Sequence, residues 1–243
     1  MKDYLLVIPA RYESSRLPGK PLIDLKGKSM ILRTYEKCVE VVPKEKIFVA
    51  TDDERIYDHC IINSMNVLMT SSECLTGTDR VAEVARIIPA EYYINVQGDE
   101  PLFNPNDILK VLSCLKDNKG KIINGYCSIN NKEDFFSTSI PKVVFRPDGR
   151  LLYMSRSPIP GSKNGEFVNG NRQVCVYAFP QKALEEFSSQ TTKTFLENQE
   201  DIEIIRFLEL GYEIFMIELS DDSIAVDNPH DVDKVLKRLS NEN

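Results

Sequence analysis

"VIPARYESSRLPGKPL", Val7–Leu22, sets an apolar strand end against a loop that carries Arg11, Arg16 and Lys20. Like charges packed into one short loop repel unless an anion joins them, so the loop reads as a receptor for something strongly negative. It is neither G-x-G-x-x-G nor a Walker sequence, which removes the two commonest dinucleotide and P-loop readings. Gly19 allows a close backbone approach. Guanidinium forks suit phosphate oxygens, and Lys20 acts as a point charge. The alternative is a solvated basic loop. Three cations in one loop of an acidic chain weigh against it.

The rest of the chain places that loop at a strand end. Tyr4–Ile8, Lys46–Ala50, Asn66–Met69 and Glu91–Gln97 read as short apolar strands. Between them, Met30–Val42, a segment through about Asn63, and Thr78–Ile87 have helical spacing, and a further helix follows Asn104-Pro105. This βαβα order predicts a mostly parallel sheet with helices on both faces. After about Gly120 the pattern changes. "PKVVFRPDGRLLYMSR" reads as two strands joined at Pro147-Asp148-Gly149, Ser157–Gly170 as a loop, and "RQVCVYAF" as a strand. Helices are expected at Gln181–Ser188, Asp201–Leu210 and Asp231–Leu239, with "YEIFMIEL" a strand between the last two. No repeat or linker interrupts the chain. The expectation is one α/β domain over residues 1–243, with a mixed-sheet, β-rich insertion around 120–200.

Composition excludes several classes. The 243 residues are 42% hydrophobic and 28% charged, with a net charge of −7. That is ordinary globular composition and a poor surface for nucleic acid or for an anionic membrane. Six cysteines form no C-x-x-C, and with two histidines they predict free thiols rather than a zinc site. The opening apolar run is too short for a signal peptide, and no stretch is long enough to span a bilayer, so a cytoplasmic protein is expected.

Ligands of open α/β sheets bind beyond the carboxyl ends of the strands. Besides the opening loop, "GTDR" (Gly77–Arg80), "QGDEP" (Gln97–Pro101) and "AVDNP" (Ala225–Pro229) fall where strands or apolar stretches end. Asp99, delivered into a turn by Gly98 and Pro101, and Asp227 form a candidate Mg²⁺ pair, because Mg²⁺ takes one or two carboxylates plus substrate phosphates. Each could instead cap a turn or helix, and "DNPHD" looks like a helix start. His59 and His230 read as surface or capping residues, and no nucleophilic triad is visible. Cations and carboxylates without a nucleophile fit direct displacement at phosphorus. A glycosyltransferase of related fold, or a nucleotide-binding module without turnover, are the other readings.

"IPARYESSRLPGKPL", "ATDDERI", "TGTDR", "NVQGDEP", "YMSRSPIP" and "VDNP" occur in the order seen in 3-deoxy-D-manno-octulosonate cytidylyltransferases, and the chain resembles that family over its whole length. The resemblance implies a nucleotide-diphospho-sugar transferase fold, with a nucleotide-binding half over about 1–120. A half for sugar binding and dimerisation would cover about 120–243. It implies a Mg²⁺-dependent reaction of CTP with a KDO-like 2-keto-3-deoxy sugar acid, giving a CMP-sugar and pyrophosphate. It further implies a homodimer and a place in lipopolysaccharide or capsule synthesis. Carried onto this chain, Arg11, Lys20 and nearby Arg16 are expected at the triphosphate, and Asp99 and Asp227 at the metal. Ala10, Gly77, Thr78, Arg80 and Gln97 are expected beside the nucleotide. Arg156, Gln173, Tyr177, Glu203 and Ile204 are expected beside the sugar. Two positions depart from the family pattern. Gln173-Val174-Cys175 stands where a His-Leu/Ile-Gly step is usual, and Ile204 where a glutamine is usual. Both lie on the expected sugar side, so the sequence predicts weakened use of KDO itself, through a lost hydrogen bond at Ile204.

Overall fold

Strand β1 (Lys2–Ala10) carries four consecutive residues with no exposed surface, Leu5, Leu6, Val7 and Ile8, because the sheet it belongs to is covered on both faces. In this computed structural model, which describes residues 2–13 and 16–241, the two faces take alternate residues. Leu6 and Ile8 join one core with Ile31, Ile56 and Ile108. Leu5 and Val7 join the other with Val81, Leu184 and Phe207.

Around β1 the chain runs α1 (Met30–Val39), β2 (Ile47–Thr51), α2 (Glu54–Ile62), β3 (Val67–Met69), α3 (Gly77–Ile87) and β4 (Ala90–Val96). Then come α4 (Asn106–Leu115), β5 (Ile122–Ile129), α5 (Lys132–Phe136), β6 (Lys142–Phe145), β7 (Leu151–Ser155) and β8 (Gly170–Pro180). The chain closes with α6 (Gln181–Ser188), α7 (Phe195–Glu200), α8 (Ile204–Glu209), β9 (Ile214–Glu218) and α9 (Pro229–Asn241). The sheet order is β3-β2-β1-β4-β8-β5-β9, with β6 and β7 off this path. Strands β1 to β4 pair in parallel, and β8 lies antiparallel between β4 and β5. The expected α/β fold is therefore found. After residue 120, β5 and β8 complete the main sheet, and the β6–β7 hairpin joins it through the pairing of β6 with β8.

The strand order grows from β1 toward β3 on one side and to β4 on the other. The loops after β1 and β4 thus flank a topological switch point, where open α/β sheets leave a crevice. The two loops touch. A Cβ on Gly98 would lie 2.9 Å from the Pro9 carbonyl oxygen, so only glycine fits there. Gly19, at φ 68°, closes the opening loop by donating its N–H to the Tyr12 carbonyl at 2.9 Å.

The helix expected over Asp201–Leu210 is α8, shorter at both ends, and a helix that was not expected, α7, precedes it. Asp201 takes a left-handed conformation (φ 51°) that ends α7, and α8 starts afresh at Ile204 with Glu203 as its N-cap. Hydrophobic spacing alone does not report such a break.

Candidate active site

Two lobes of one cleft open at the switch point. The first, about 370 Å³, is walled by the opening loop, the start of α3 and the turn after β4. The second, about 430 Å³, is walled by β8, the segment around Ser139–Pro141 and the loop before α9. Arg16, Gln97, Asp99, Asp201, Glu203 and Asp227 line both.

The junction holds the charges that the sequence singled out. Lys20 Nζ donates to Asp99 Oδ2 at 2.6 Å and to Asp227 Oδ1 at 3.4 Å. Arg16 Nη2 lies 3.1 Å from the same Asp227 oxygen. The Val226 N–H donates to the Asp99 carbonyl at 2.9 Å, which pins the late segment against the β4 turn. The capping alternative for Asp227 fails. Asn228 Oδ1 accepts from the His230 N–H at 3.1 Å in the first turn of α9, and Asp231 Oδ2 accepts from the Asp227 and Asn228 N–H groups at 3.2 Å each, so the Asp227 carboxylate is left to the cleft. Ser14 and Ser15 of the opening loop lie outside the described residues.

Among the described residues, no group of three or more His, Cys, Asp and Glu side chains could hold a metal by themselves. The fit to Mg²⁺ is of another kind. Asp99 and Asp227 converge on one cationic atom, the Lys20 ammonium. Two convergent carboxylates leave the remaining positions of an octahedral ion to phosphate and water oxygens.

Ala10, Arg11, Gly77, Arg80 and Gln97 also line the first lobe, whereas Thr78 does not. The donors at the start of α3 are already used. Glu203 accepts from the Gly77 N–H at 3.2 Å, the Thr78 N–H at 3.0 Å and the Thr78 hydroxyl at 2.6 Å. Its carboxylate sits where the partial positive charge of the helix end favours an anion. Arg80 donates to Asp52 at 2.6 Å and to Thr70 Oγ1 at 2.8 Å, so its fork is committed to the lobe's wall.

Arg156, Gln173, Tyr177 and Glu203 line the second lobe. Gln173 Nε2 donates to Asn124 Oδ1 at 3.1 Å, and Asn124 in turn donates to the Val174 and Val176 carbonyls. Ile204 is a correction. It is 1% exposed, packs in the core with Phe207 and lines neither lobe. The break at Asp201 turns the first residue of α8 inward, and Ile202 faces the lobe instead.

The sequence places Glu100 beside Asp99 in the turn after β4, whereas Lys193, Asp201 and Arg172 were missed as cleft residues. Those three show no local signal. Glu100 is buried and accepts from the Ser223 hydroxyl at 2.6 Å. Burial pushes its carboxyl up to about 7, with Ser223 opposing and Asp99 adding to the rise. Burial also raises the Cys175 thiol and the Tyr177 phenol, so neither is a ready nucleophile. Neither histidine lines the cleft. His59 bonds the Oγ of Ser29, the N-cap of α1, at 2.7 Å, and burial lowers its pKa.

Comparison with known proteins decides among the remaining readings. Residues 5–214 match a cytidylyltransferase family. The 3-deoxy-manno-octulosonate cytidylyltransferase of Protochlamydia amoebophila is 38% identical, over 98% of this chain and 94% of its own. The Escherichia coli protein of the same name is 35% identical, over 100% and 98%. The chain belongs to the 3-deoxy-manno-octulosonate cytidylyltransferase family. A solved CMP:2-keto-3-deoxy-manno-octonic acid synthetase complexed with CTP superposes with a TM-score of 0.92 at 34% identity, each chain covered in full. A 4-diphosphocytidyl-2C-methyl-D-erythritol synthase from Anaerococcus prevotii, at 15% identity and a TM-score of 0.65, shares the fold alone. As a cytidylyltransferase of this family, the chain is a nucleotidyltransferase, not a glycosyltransferase. No helix among the described residues is long and apolar enough to cross a membrane.

Proposed function

We propose that this cytidylyltransferase joins CTP to 3-deoxy-manno-octulosonate, releasing pyrophosphate, with the nucleotide in the first lobe and the sugar acid in the second. The observation that carries this is the meeting of both lobes at Asp99 and Asp227, which share the ammonium of Lys20 from the first lobe. A bond forms between the anomeric oxygen and the α-phosphorus, the bond from that phosphorus to the bridging oxygen of pyrophosphate breaks, and the proton of the anomeric hydroxyl passes to solvent. Arg11, Arg16 and Lys20 hold the triphosphate and stabilise the charge that gathers on the leaving group. Mg²⁺, held by Asp99 and Asp227, would offset phosphate charge and polarise the attacking hydroxyl. Gln97, shared by both lobes, orients the two substrates against each other.

Ile204 lies in the core, so its lack of a hydrogen-bonding group does not bear on the use of KDO. The other departure, Gln173 and Cys175, does line the second lobe. In this reading about 1–120 supply most of the nucleotide lobe and about 120–243 most of the sugar lobe, Asp227 crossing between them. Exposed Phe136 and Leu152, near the β6–β7 hairpin, support pairing of two copies, as the resemblance implies. The product would feed lipopolysaccharide or capsule assembly.

The test is pyrophosphate release with CTP, UTP, ATP and GTP against a panel of sugar acids. Release with CTP and 3-deoxy-manno-octulosonate is expected. No release with any pair, from folded protein with Mg²⁺, would refute the assignment.

A further inference from the structure

Asp201 stands at the seam of the two lobes with its backbone left-handed and its side chain facing cations from other elements. Its Oδ1 accepts from Lys193 Nζ at 2.6 Å, and its Oδ2 lies 3.9 Å from Arg156 Nη2. Arg156 is fixed without that carboxylate. Its Nε donates to the Glu200 carbonyl at 2.6 Å, its Nη1 to the Thr138 carbonyl at 3.1 Å, and its Nη2 to the Asp201 carbonyl at 2.9 Å. Three carbonyls orient the guanidinium but do not cancel its charge. The left-handed turn is what aims the Asp201 carbonyl at Arg156.

The side chain is the movable part. It is 70% exposed, and its bonded partner Lys193 is 30% exposed, so the pair adds little to folding. Rotation of one side chain would free Lys193 and Arg156 together while the backbone grip on Arg156 persists. Arg11, from the nucleotide side, adds to the cationic surroundings that hold the Asp201 carboxyl below its usual range, Lys193 being the main cause.

We propose that the Asp201 carboxylate is a resident stand-in for a ligand's anionic oxygens. Lys193 and Arg156 form the anion subsite that it vacates when substrate enters. This rests on the reading of the second lobe as the sugar-acid pocket, and it favours the substrate carboxylate as the group received. The phosphate chain of the nucleotide offers the same chemistry from the other lobe, so the experiment has an arm for each.

Asp201→Asn is the informative variant, because asparagine tolerates the left-handed backbone and keeps the shape while removing the charge. Binding is read by calorimetric titration of the full chain. The probes are 3-deoxy-manno-octulosonate, its methyl ester and CTP. The acid should bind about fivefold tighter to Asp201→Asn, the scale of one partly exposed ion pair. The ester should gain nothing, and adding Lys193→Gln should abolish the gain. Tighter CTP with unchanged acid would assign the subsite to phosphate. Unchanged or weaker binding of both, or an equal gain for acid and ester, would overturn the proposal. Loss of turnover in the native protein would sink the transfer reading, yet these binding constants would still be readable.

Discussion

Replacing Lys20 by methionine isolates what one ammonium contributes at the junction. Lys20 and Arg16 balance Asp99 and Asp227, two positive charges against two negative, within hydrogen-bond and ion-pair reach of one another. Lys20→Met leaves that set one charge negative, facing an incoming triphosphate. Loss of one preorganised donor to a developing charge costs about 3 kcal/mol of transition-state stabilisation. That corresponds to a fall in kcat of about 150-fold. The cost to folding should be much smaller. Asp99 is 27% exposed and Asp227 45%, so water reaches both once the ammonium is gone and about 1 kcal/mol or less is expected from each contact. Lys20→Arg should recover little, because a planar fork does not reproduce a point charge shared between two carboxylates. The assay is pyrophosphate release at saturating CTP and sugar acid with Mg²⁺, beside a thermal melt of each variant. Folded Lys20→Met protein with kcat within about threefold of native would refute the reasoning, since no transition-state interaction would have been lost.

Glu100→Gln tests the buried carboxyl. Its folded pKa of about 7 lies above the ordinary 4.5, so the contribution of this group to stability is full below about pH 4.5 and is lost as pH rises through 7. The variant should therefore melt higher relative to native at pH 8 than at pH 5, by up to about 3 kcal/mol; a pH-independent difference would refute this. Ile204→Gln should unfold the protein more easily, since a buried unpaired amide costs roughly 1–3 kcal/mol, and a change in sugar preference without loss of stability would contradict the core placement. Arg206 is fully buried and holds Glu197 by two 2.6 Å bonds, so Arg206→Met should cost roughly 3–5 kcal/mol in urea unfolding by leaving Glu197 charged and unpaired; a midpoint near native would refute it.

What the sequence made legible is what local composition encodes. Cations after an apolar strand, a carboxylate in a glycine–proline turn, and Asp227 before Asn-Pro could each be read from a few neighbouring residues, and the fold brings all of them to one junction. What stayed hidden depends on partners distant in the chain. Glu203 bonds the start of α3 from 125 and 126 positions away. Asp201 and Lys193 matter only because Arg156 arrives from β7. The misplacement of Ile204 has a local cause, a left-handed residue inside an otherwise helical pattern. Aspartate adopts that conformation more readily than most residues, but too seldom for a sequence to announce it. The order of β8 within the sheet was hidden for a similar reason, since its partners β4 and β5 both precede it by long stretches of chain.

Lys20 and Asp227 are 207 positions apart, and α9 packs its Val235 and Leu239 on Leu25 and Met30, just beyond the opening loop. The proposed reactive centre is therefore completed by a segment far downstream of the loop it closes on. A nascent or prematurely ended copy could fold much of the sheet and would still lack one of the two carboxylates. Such fragments would be chemically silent, so translation errors that shorten the chain would waste protein without consuming CTP.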